Sequence, residues 1–380
     1  MILWSAYLIM LDLTHPTWIE IDLAQFKKNL SIIKKYTDKT LFCLPVKANA
    51  YGHGLLPIAQ AAQEVGVDYL AVAHLSEGAV LRGGGIHLPI LVMGSVHEDQ
   101  IGDLIRYSLE FTISSKYKAD LVAKVCAAHH IRCRVHIKVD TGMHRTGVRP
   151  ESAIDLYEYL QSLGYFDVVG IYSHLATADV PKDPHALLQI QAFKDIVNDK
   201  RLLGVPLLRH MANSAGLMFY PDSYFDMVRP SLLSFGYKPK NCPAPLSQVE
   251  PCFSLKTKVS YFKVVAKGKG ISYGRHFITK EQTRIITIPI GYGDGLRRSL
   301  SGKGSVLLRG ERFPIVGTIC MDQCMVDIGQ GDAYIGDEVV LIGKQAGNEI
   351  SLTEIAELCD TIPYEVLCFF NERIPRVYIE

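Results

Sequence analysis

Leu41-Phe42-Cys43-Leu44-Pro45-Val46-Lys47-Ala48-Asn49-Ala50-Tyr51-Gly52-His53-Gly54 passes from a short apolar run into a polar, glycine-rich turn, with one lysine at the junction. An apolar run of this length bounded by turn residues reads as a buried strand, which places the Lys47 ammonium at its mouth, partly desolvated. Tyr51 follows one helical turn further on. Desolvation lowers the pKa of an amine, and an unprotonated amine can condense with an aldehyde. Alone, such a lysine is ordinarily a surface residue whose stem snorkels along the strand end. Its meaning therefore depends on what the other strand ends carry.

The same unit recurs on both sides of this stretch. Short apolar, β-branched runs fall at residues 18–22, 41–46, 69–73, 90–94, 110–113, 134–139, 168–173, 207–211 and 227–232. Between them lie amphipathic segments such as 23–36, 116–129 and 186–203, with apolar residues three and four apart. Alternation of this kind is the signature of a parallel (β/α)8 barrel. Nine runs exceed eight places, so either 18–22 or the weak 207–211 is irregular or lies outside the barrel. Beyond the proline-rich break Asn241-Cys242-Pro243-Ala244-Pro245 the helical periodicity nearly disappears. Strands are expected at 255–265, 284–290, 306–308, 313–319, 325–328 and 338–342, and only 352–359 looks helical. The expected architecture is α/β: a (β/α)8 TIM barrel over residues 14–242, followed by a C-terminal antiparallel β domain over 243–380. Residues 1–10 are apolar, but they lack a basic start or a cleavage pattern and are too short to span a bilayer. They read as an extra strand or arm that could pack with the second domain.

Forty basic residues against 39 acidic ones give a net charge of +1, and the 13 histidines are scattered, so neither a nucleic acid nor a membrane partner is indicated. With 48% hydrophobic and 21% charged residues the chain can bury large cores. Nine cysteines, odd in number and dispersed, suggest reduced thiols in the cytoplasm. Cys320 and Cys324 would share one face of a strand, and a metal pair there is conceivable. No second pair lies at ligand spacing, so the expectation is buried or site-lining thiols and no metal.

Barrel chemistry sits at the carboxyl ends of the strands. Those ends carry Lys47 with Tyr51, Lys138 with Asp140 and Arg145, His174, Asn213 with Ser214, and Arg229. Any one of these residues could be incidental. Their joint placement at the mouth of one expected barrel is what gives them weight.

Nine motifs in order resemble those of the fold-type III enzymes that bind pyridoxal 5'-phosphate, and in detail those of the alanine racemase family. They are VKANAYGHG from Val46, VDTGMHRTG from Val139, SHLATAD from Ser173, ANSAG from Ala212, MVRP from Met227, SYG from Ser272, IPIGYGDG from Ile288, ICMDQCM from Ile319 and TIPYEV from Thr361. The resemblance covers nearly the whole chain after the first dozen or so residues. It implies that Lys47 holds the cofactor and acts as a base on one face of the substrate. Tyr273, from the partner subunit of a homodimer, would act on the other face. The cofactor would delocalise the charge left by proton loss. Arg229 would face the pyridine nitrogen, with His174 holding it by a hydrogen bond. Asn213 and Ser214, with the backbone of Ser231 and Leu232 and the hydroxyls of Tyr51 and Tyr364, would complete the cofactor site. Arg145 would grip the carboxylate of a small amino-acid substrate, aided by the backbone of the partner's Met321 between Cys320 and Asp322. Lys138 matches a lysine that is carbamylated in many members, where the fixed anion orients the arginine. Tyr292 and Tyr364 would form a constriction, and Asp179 and Arg297 would line the access corridor. The implied activity is interconversion of L- and D-alanine, supplying D-alanine for peptidoglycan.

Three departures stand out. Ser231 replaces a usual glycine, Phe235 a common tyrosine, and Thr318 an arginine of the access corridor. Rival readings are a racemase of serine or of broad amino-acid specificity, a decarboxylase of the same fold type, and a non-catalytic pyridoxal-phosphate carrier built on a barrel alone. The SYG and ICMDQCM motifs and the second domain argue against the last two.

Overall fold

The computed structural model describes residues 15–239 and 241–380, so the expectation for residues 1–13 lies outside the described residues. The strand β1 (Trp18–Asp22) is followed by eight parallel strands that close into a barrel in chain order: β2 (Leu41–Pro45), β3 (Tyr69–Val72), β4 (Ile90–Val92), β5 (Glu110–Ile113), β6 (Cys133–Lys138), β7 (Phe166–Tyr172), β8 (Leu208–His210) and β9 (Met227–Val228). β3 and β4 are buried at every residue, as expected of strands covered on both faces. β1 instead alternates, with Ile19 and Ile21 buried between half-exposed neighbours. That pattern suits a sheet with one buried face, and β1 pairs antiparallel with Phe253–Lys258 and parallel with Arg376–Ile379. Of the nine runs, 18–22 is thus the one outside the barrel, and the weak 207–211 run supplies β8.

The chain divides into two compact units. One comprises Gln25–Ala50 and Leu55–Pro251; the other comprises the described chain up to Ala24, Tyr51–Gly54 and Cys252–Glu380. By contacts, then, the long stretches of the two units meet at Pro251 and Cys252. β1 leaves the barrel unit because its backbone partners lie near the C-terminus. Tyr51–Gly54 is the barrel's only loop segment assigned to the second unit among the described residues.

The second unit is built on a ten-stranded sheet in which every pair except β1 with Arg376–Ile379 is antiparallel. The expected single strand 255–265 is two strands, Phe253–Lys258 and Tyr261–Val265, because the first pairs with Glu338–Gln345 and the second with Thr283–Ile288. A second helix, Pro363–Phe369, follows Leu352–Leu358. It spans two turns behind a proline, too short for its periodicity to stand out in sequence. Among the described residues no helix is long and apolar enough to cross a membrane.

Within the barrel unit, the helix Leu23–Thr37 is fixed by polar as well as apolar contacts. Phe26 stacks on Phe235 with ring centroids 5.4 Å apart. Buried Asn29 donates through Nδ2 to the Glu250 carbonyl at 2.8 Å, and its Oδ1 accepts from the Glu250 amide at 3.0 Å. Asn29→Ala would leave both backbone groups without these partners. We expect a loss of about 1–3 kcal/mol, read as a lower denaturation midpoint with an unchanged urea slope.

Candidate active site at the carboxyl end of the barrel

Past β2 the backbone turns the wrong way. Ala48, Asn49, Ala50 and Tyr51 have φ of +54°, +54°, +52° and +53°, so the turn after Lys47 is left-handed and contains no glycine. Each such residue costs roughly 1–2 kcal/mol relative to the right-handed form, and hydrogen bonds to the turn offset part of that cost. The Ala50 amide donates to the Val46 carbonyl at 2.8 Å, the Ala48 amide to Glu77 Oε1 at 2.7 Å, and the Leu55 amide to Asn49 Oδ1 at 2.7 Å. Glu77 Oε2 also accepts from the Ala73 and His74 amides at 2.7 and 3.1 Å, so one carboxylate ties this turn to the end of β3. The expected partial desolvation of Lys47 is not found: the residue is exposed.

In the second unit Tyr51 packs on Tyr364, with centroids 5.9 Å apart. Gly52, at φ +81°, lies so close to this helix that a Cβ would stand 2.4 Å from the Leu367 carbonyl oxygen.

Four cations converge on the barrel mouth. Lys138, at the end of β6, is only 5% exposed. Burial, then the charges of Arg229 and Arg145, push its amine down to about 7, against a weaker opposing pull from Asp140. Its Nζ lies 4.8 Å from the Tyr172 ring centroid and donates to the Val139 carbonyl at 3.3 Å. Asp140 builds the loop that carries Arg145: one carboxylate oxygen accepts from the amides of Gly142, Met143 and His144, each at 3.0 Å. Burial works to raise the Asp140 pKa, but these bonds outweigh it and hold the carboxyl below its usual range. His174 is pushed well below the usual imidazole range by burial first, then by Arg229, Lys138, Arg145 and Lys47. It is a neutral ring amid four positive groups.

Arg229, 2% exposed, follows β9. Its Nη2 donates to the carbonyls of Ser173 and Met211 at 2.8 and 3.1 Å and to His174 Nδ1 at 3.3 Å, so the expected histidine contact is present. A shorter bond, Nη1 to His210 Nδ1 at 2.7 Å, comes from a residue not singled out in the sequence. His210 stacks on buried Tyr172 at 4.8 Å and also contacts His136. A signal for these existed: His136 lies two residues before Lys138 on the same strand, so both face the same side, and a histidine inside a barrel needs a polar partner.

Asn213 rather than Ser214 caps the helix Ser214–Phe219, its Oδ1 accepting from the Gly216 amide at 2.8 Å. Ser214 Oγ instead accepts from the amides of Ser231 and Leu233 at 2.8 and 3.4 Å, which leaves its hydroxyl proton to donate elsewhere. Ser231 has φ −114°, so the backbone here does not require glycine. Leu232 begins the short 3-10 turn that follows. Asp179 is exposed on the loop after β7.

The remaining expected residues belong to the second unit. Tyr273 is 73% exposed on a turn in which Ser272 and Gly274 have φ of +63° and +71°. That turn is anchored by Thr318, whose buried hydroxyl donates to the Tyr273 carbonyl at 2.9 Å, and by Ser272 Oγ, which donates to the Thr318 carbonyl at 2.6 Å. Thr318 therefore supports Tyr273 from beneath. Cys320 lies in a turn before the strand Cys324–Gly329, not on one strand face with Cys324. The carbonyls of Cys320 and Met321 accept from the amides of Tyr292 and Gly293 at 3.0 and 2.8 Å, and Asp322 pairs with Arg373 at 2.8 Å. Arg297 lies 3.7 Å from the Phe369 ring centroid.

Comparison with known proteins places these features in context. The family description "Alanine racemase, N-terminal domain" matches residues 21–239, and "Alanine racemase, C-terminal domain" matches residues 252–378. An alanine racemase of Desulfovibrio desulfuricans is 41% identical over 98% of this chain and 100% of its own length, and one of Symbiobacterium thermophilum is 40% identical over 97% and 98%. Among solved structures, alanine racemase from Clostridium difficile 630 superposes with a TM-score of 0.91 at 38% identity, covering 97% of this chain and 96% of that one. The Bacillus anthracis alanine racemase with bound L-Ala-P superposes with a TM-score of 0.89 at 35% identity, covering 96% and 95%.

The left-handed turn makes a prediction of unusual sign. Ala48→Gly costs about 1 kcal/mol in a right-handed helix interior. Here it should leave stability unchanged or raise it by about 1 kcal/mol, measured by urea denaturation, because glycine adopts positive φ freely.

Proposed function

This chain belongs to the alanine racemase family and interconverts L- and D-alanine, and from that premise we propose that it works with pyridoxal 5'-phosphate and two bases, Lys47 and the partner subunit's Tyr273. The observation that carries the proposal is the cluster of Lys47, Lys138, Arg145 and Arg229 around the neutral ring of His174. A mouth with four cations suits a phosphorylated cofactor together with an amino-acid carboxylate. Bound there, the cofactor's conjugated ring would take up the electron pair left at the α-carbon on proton removal.

The chain's own groups divide the remaining work. The Ser214 hydroxyl, the Leu232 backbone and the Tyr51 hydroxyl are assigned to the phosphate; Tyr364 steadies Tyr51 by ring packing. Both Nη atoms of Arg229 bond protein acceptors, and its Nε–H is assigned to the ring nitrogen. A guanidinium does not yield its proton, so that nitrogen stays unprotonated and side reactions that need a stronger electron sink are suppressed. Arg145 binds the substrate carboxylate, where a planar fork gives orientation as well as charge.

Lys47 removes or returns the α-proton on one face. The opposite face needs a second base, and a phenol serves only where cations stabilise its anion. Tyr273 stands exposed on its own subunit, and the cationic mouth of a partner would supply that field. Exposed apolar side chains on the same unit support such a partner. Tyr261, Phe262 and Val264 are exposed on the strand Tyr261–Val265, which ends the ten-stranded sheet, and Met321 is exposed as well. We therefore assign a homodimer with shared sites. The nine free cysteines suit a reducing cytoplasm, where the D-alanine product would serve peptidoglycan synthesis.

Lys138 completes the assignment. With its pKa near 7, a substantial fraction of the amine is neutral at neutral pH and able to add CO2, forming an N–C bond and releasing one proton. The resulting carbamate replaces a cation beside Arg145 and Arg229 with an anion. Carbamylation should rise as pH increases through about 7 and fall below it, as followed by 13C NMR after equilibration with labelled bicarbonate. A free amine at pH 8 would remove this role.

Purified protein given L-alanine should form D-alanine, and Lys47→Ala and Tyr273→Phe should each lose roughly 10²- to 10⁴-fold in kcat. If both variants racemise as well as the parent, the two-base assignment is wrong.

A further inference from the structure

The hydrogen bond from Arg229 to His210 is the first of a chain that crosses the barrel interior. Arg229 Nη1 lies 2.7 Å from His210 Nδ1, His210 Nε2 lies 3.0 Å from His136 Nδ1, and His136 Nε2 lies 2.9 Å from Glu110 Oε2. Glu110 Oε1 in turn accepts from Arg134 Nε at 2.8 Å and from the Tyr69 hydroxyl at 3.5 Å. His136 and His210 are fully buried and Glu110 nearly so, while the Arg134 side chain reaches solvent.

Only one arrangement of protons satisfies this chain. Arginine has donors alone, so His210 must present an unprotonated Nδ1 and carry its proton on Nε2. His136 must then accept at Nδ1 and carry its own proton on Nε2, which points at a carboxylate. Burial works to raise the Glu110 pKa, but the bond to His136 and then that to Arg134 outweigh it and hold the group below the usual carboxylate range. Burial and Arg229 push His210 well below the usual imidazole range, in keeping with a neutral ring. A buried cation and a buried anion are thus joined through two neutral rings of fixed tautomer.

We propose that Glu110 is a positioning residue for the reaction, its carboxylate fixing the tautomers of His136 and His210 so that Arg229 keeps one orientation. This rests on the reading of Arg229 as the partner of the cofactor's ring nitrogen. Glu110→Gln breaks the pattern chemically while keeping the shape. An amide must offer its oxygen to His136 and its NH2 to Arg134, or the reverse, and either choice sets two donors face to face.

The test uses full-length protein labelled with 15N-histidine, with and without added pyridoxal 5'-phosphate. Long-range 1H–15N correlation reports the tautomer of each ring. We expect His136 and His210 both neutral with the proton on Nε2 in the parent. An Nδ1–H tautomer or an imidazolium at either position overturns the proposal, whether or not any variant folds. In Glu110→Gln the Nε2–H of His136 loses its carboxylate acceptor, so the 1H and 15N shifts of that ring should move, and kcat should fall roughly 10- to 100-fold with KM for L-alanine little changed. Unchanged His136 shifts, or unchanged kcat in a folded variant, also overturn it. Failure of the parent to take up the cofactor would instead defeat the cofactor reading, and the tautomer result without cofactor would still decide the relay.

Discussion

A guanidinium almost fully buried inside a closed barrel is the constraint to which the rest of this site answers. Among the described residues Arg229 forms no ion pair; its bonds run to two carbonyl oxygens and two imidazole nitrogens. Removing such a charge from water costs several kcal/mol unless dipoles and hydrogen bonds replace the hydration shell. The barrel meets that demand with strand-end carbonyls from β7 and β8, two histidines and the face of Tyr172, 5.4 Å from the guanidinium carbon. The nearest carboxylate along the chain of bonds is Glu110, two rings away. The positive charge is therefore held in place without being neutralised at close range. That leaves it available to a group entering from the mouth.

The same economy shapes the lysine turn. A left-handed run from Ala48 to Tyr51 is intrinsically unfavourable, yet it is the backbone that follows Lys47 directly at the end of β2. The strain is balanced by Glu77, Asn49 and the Val46 carbonyl, none of which bears chemistry of its own. Thr318 performs a comparable service for Tyr273, and Asp140 for Arg145. Lys47, Tyr273 and Arg145, three residues of the proposed site, each stand beside or on a turn whose backbone is tied by a polar side chain. Positioning at this level is what acid–base chemistry on two faces of one carbon requires.

How much of this was legible in sequence follows from the range of the signals. The barrel showed itself because buried parallel strands are written as contiguous apolar runs, and even the surplus strand was recognisable as a problem. Its solution was not, since the partners of β1 lie at Phe253–Lys258 and Arg376–Ile379, far along the chain. The strand-end residues Lys47, Lys138, Arg145, His174 and Arg229 were singled out because each sits where a strand yields to a loop. His136, His210 and Glu110 were missed because they lie inside strands, where polar residues signal only through partners contributed by other strands. The exposure of Lys47 was also misjudged, and the left-handed turn that follows it, which holds no glycine, leaves no local trace in the residue types.

The central claim is that each site draws one base from each of two subunits, and mixing two inactive variants tests it most directly. A dimer formed from one Lys47→Ala subunit and one Tyr273→Phe subunit would contain one site lacking both bases and one retaining both. Co-expressed variants should therefore regain racemase activity that neither homodimer has. If the mixed dimer, isolated by differential tags, stays as inactive as its parents, the two bases do not come from different chains.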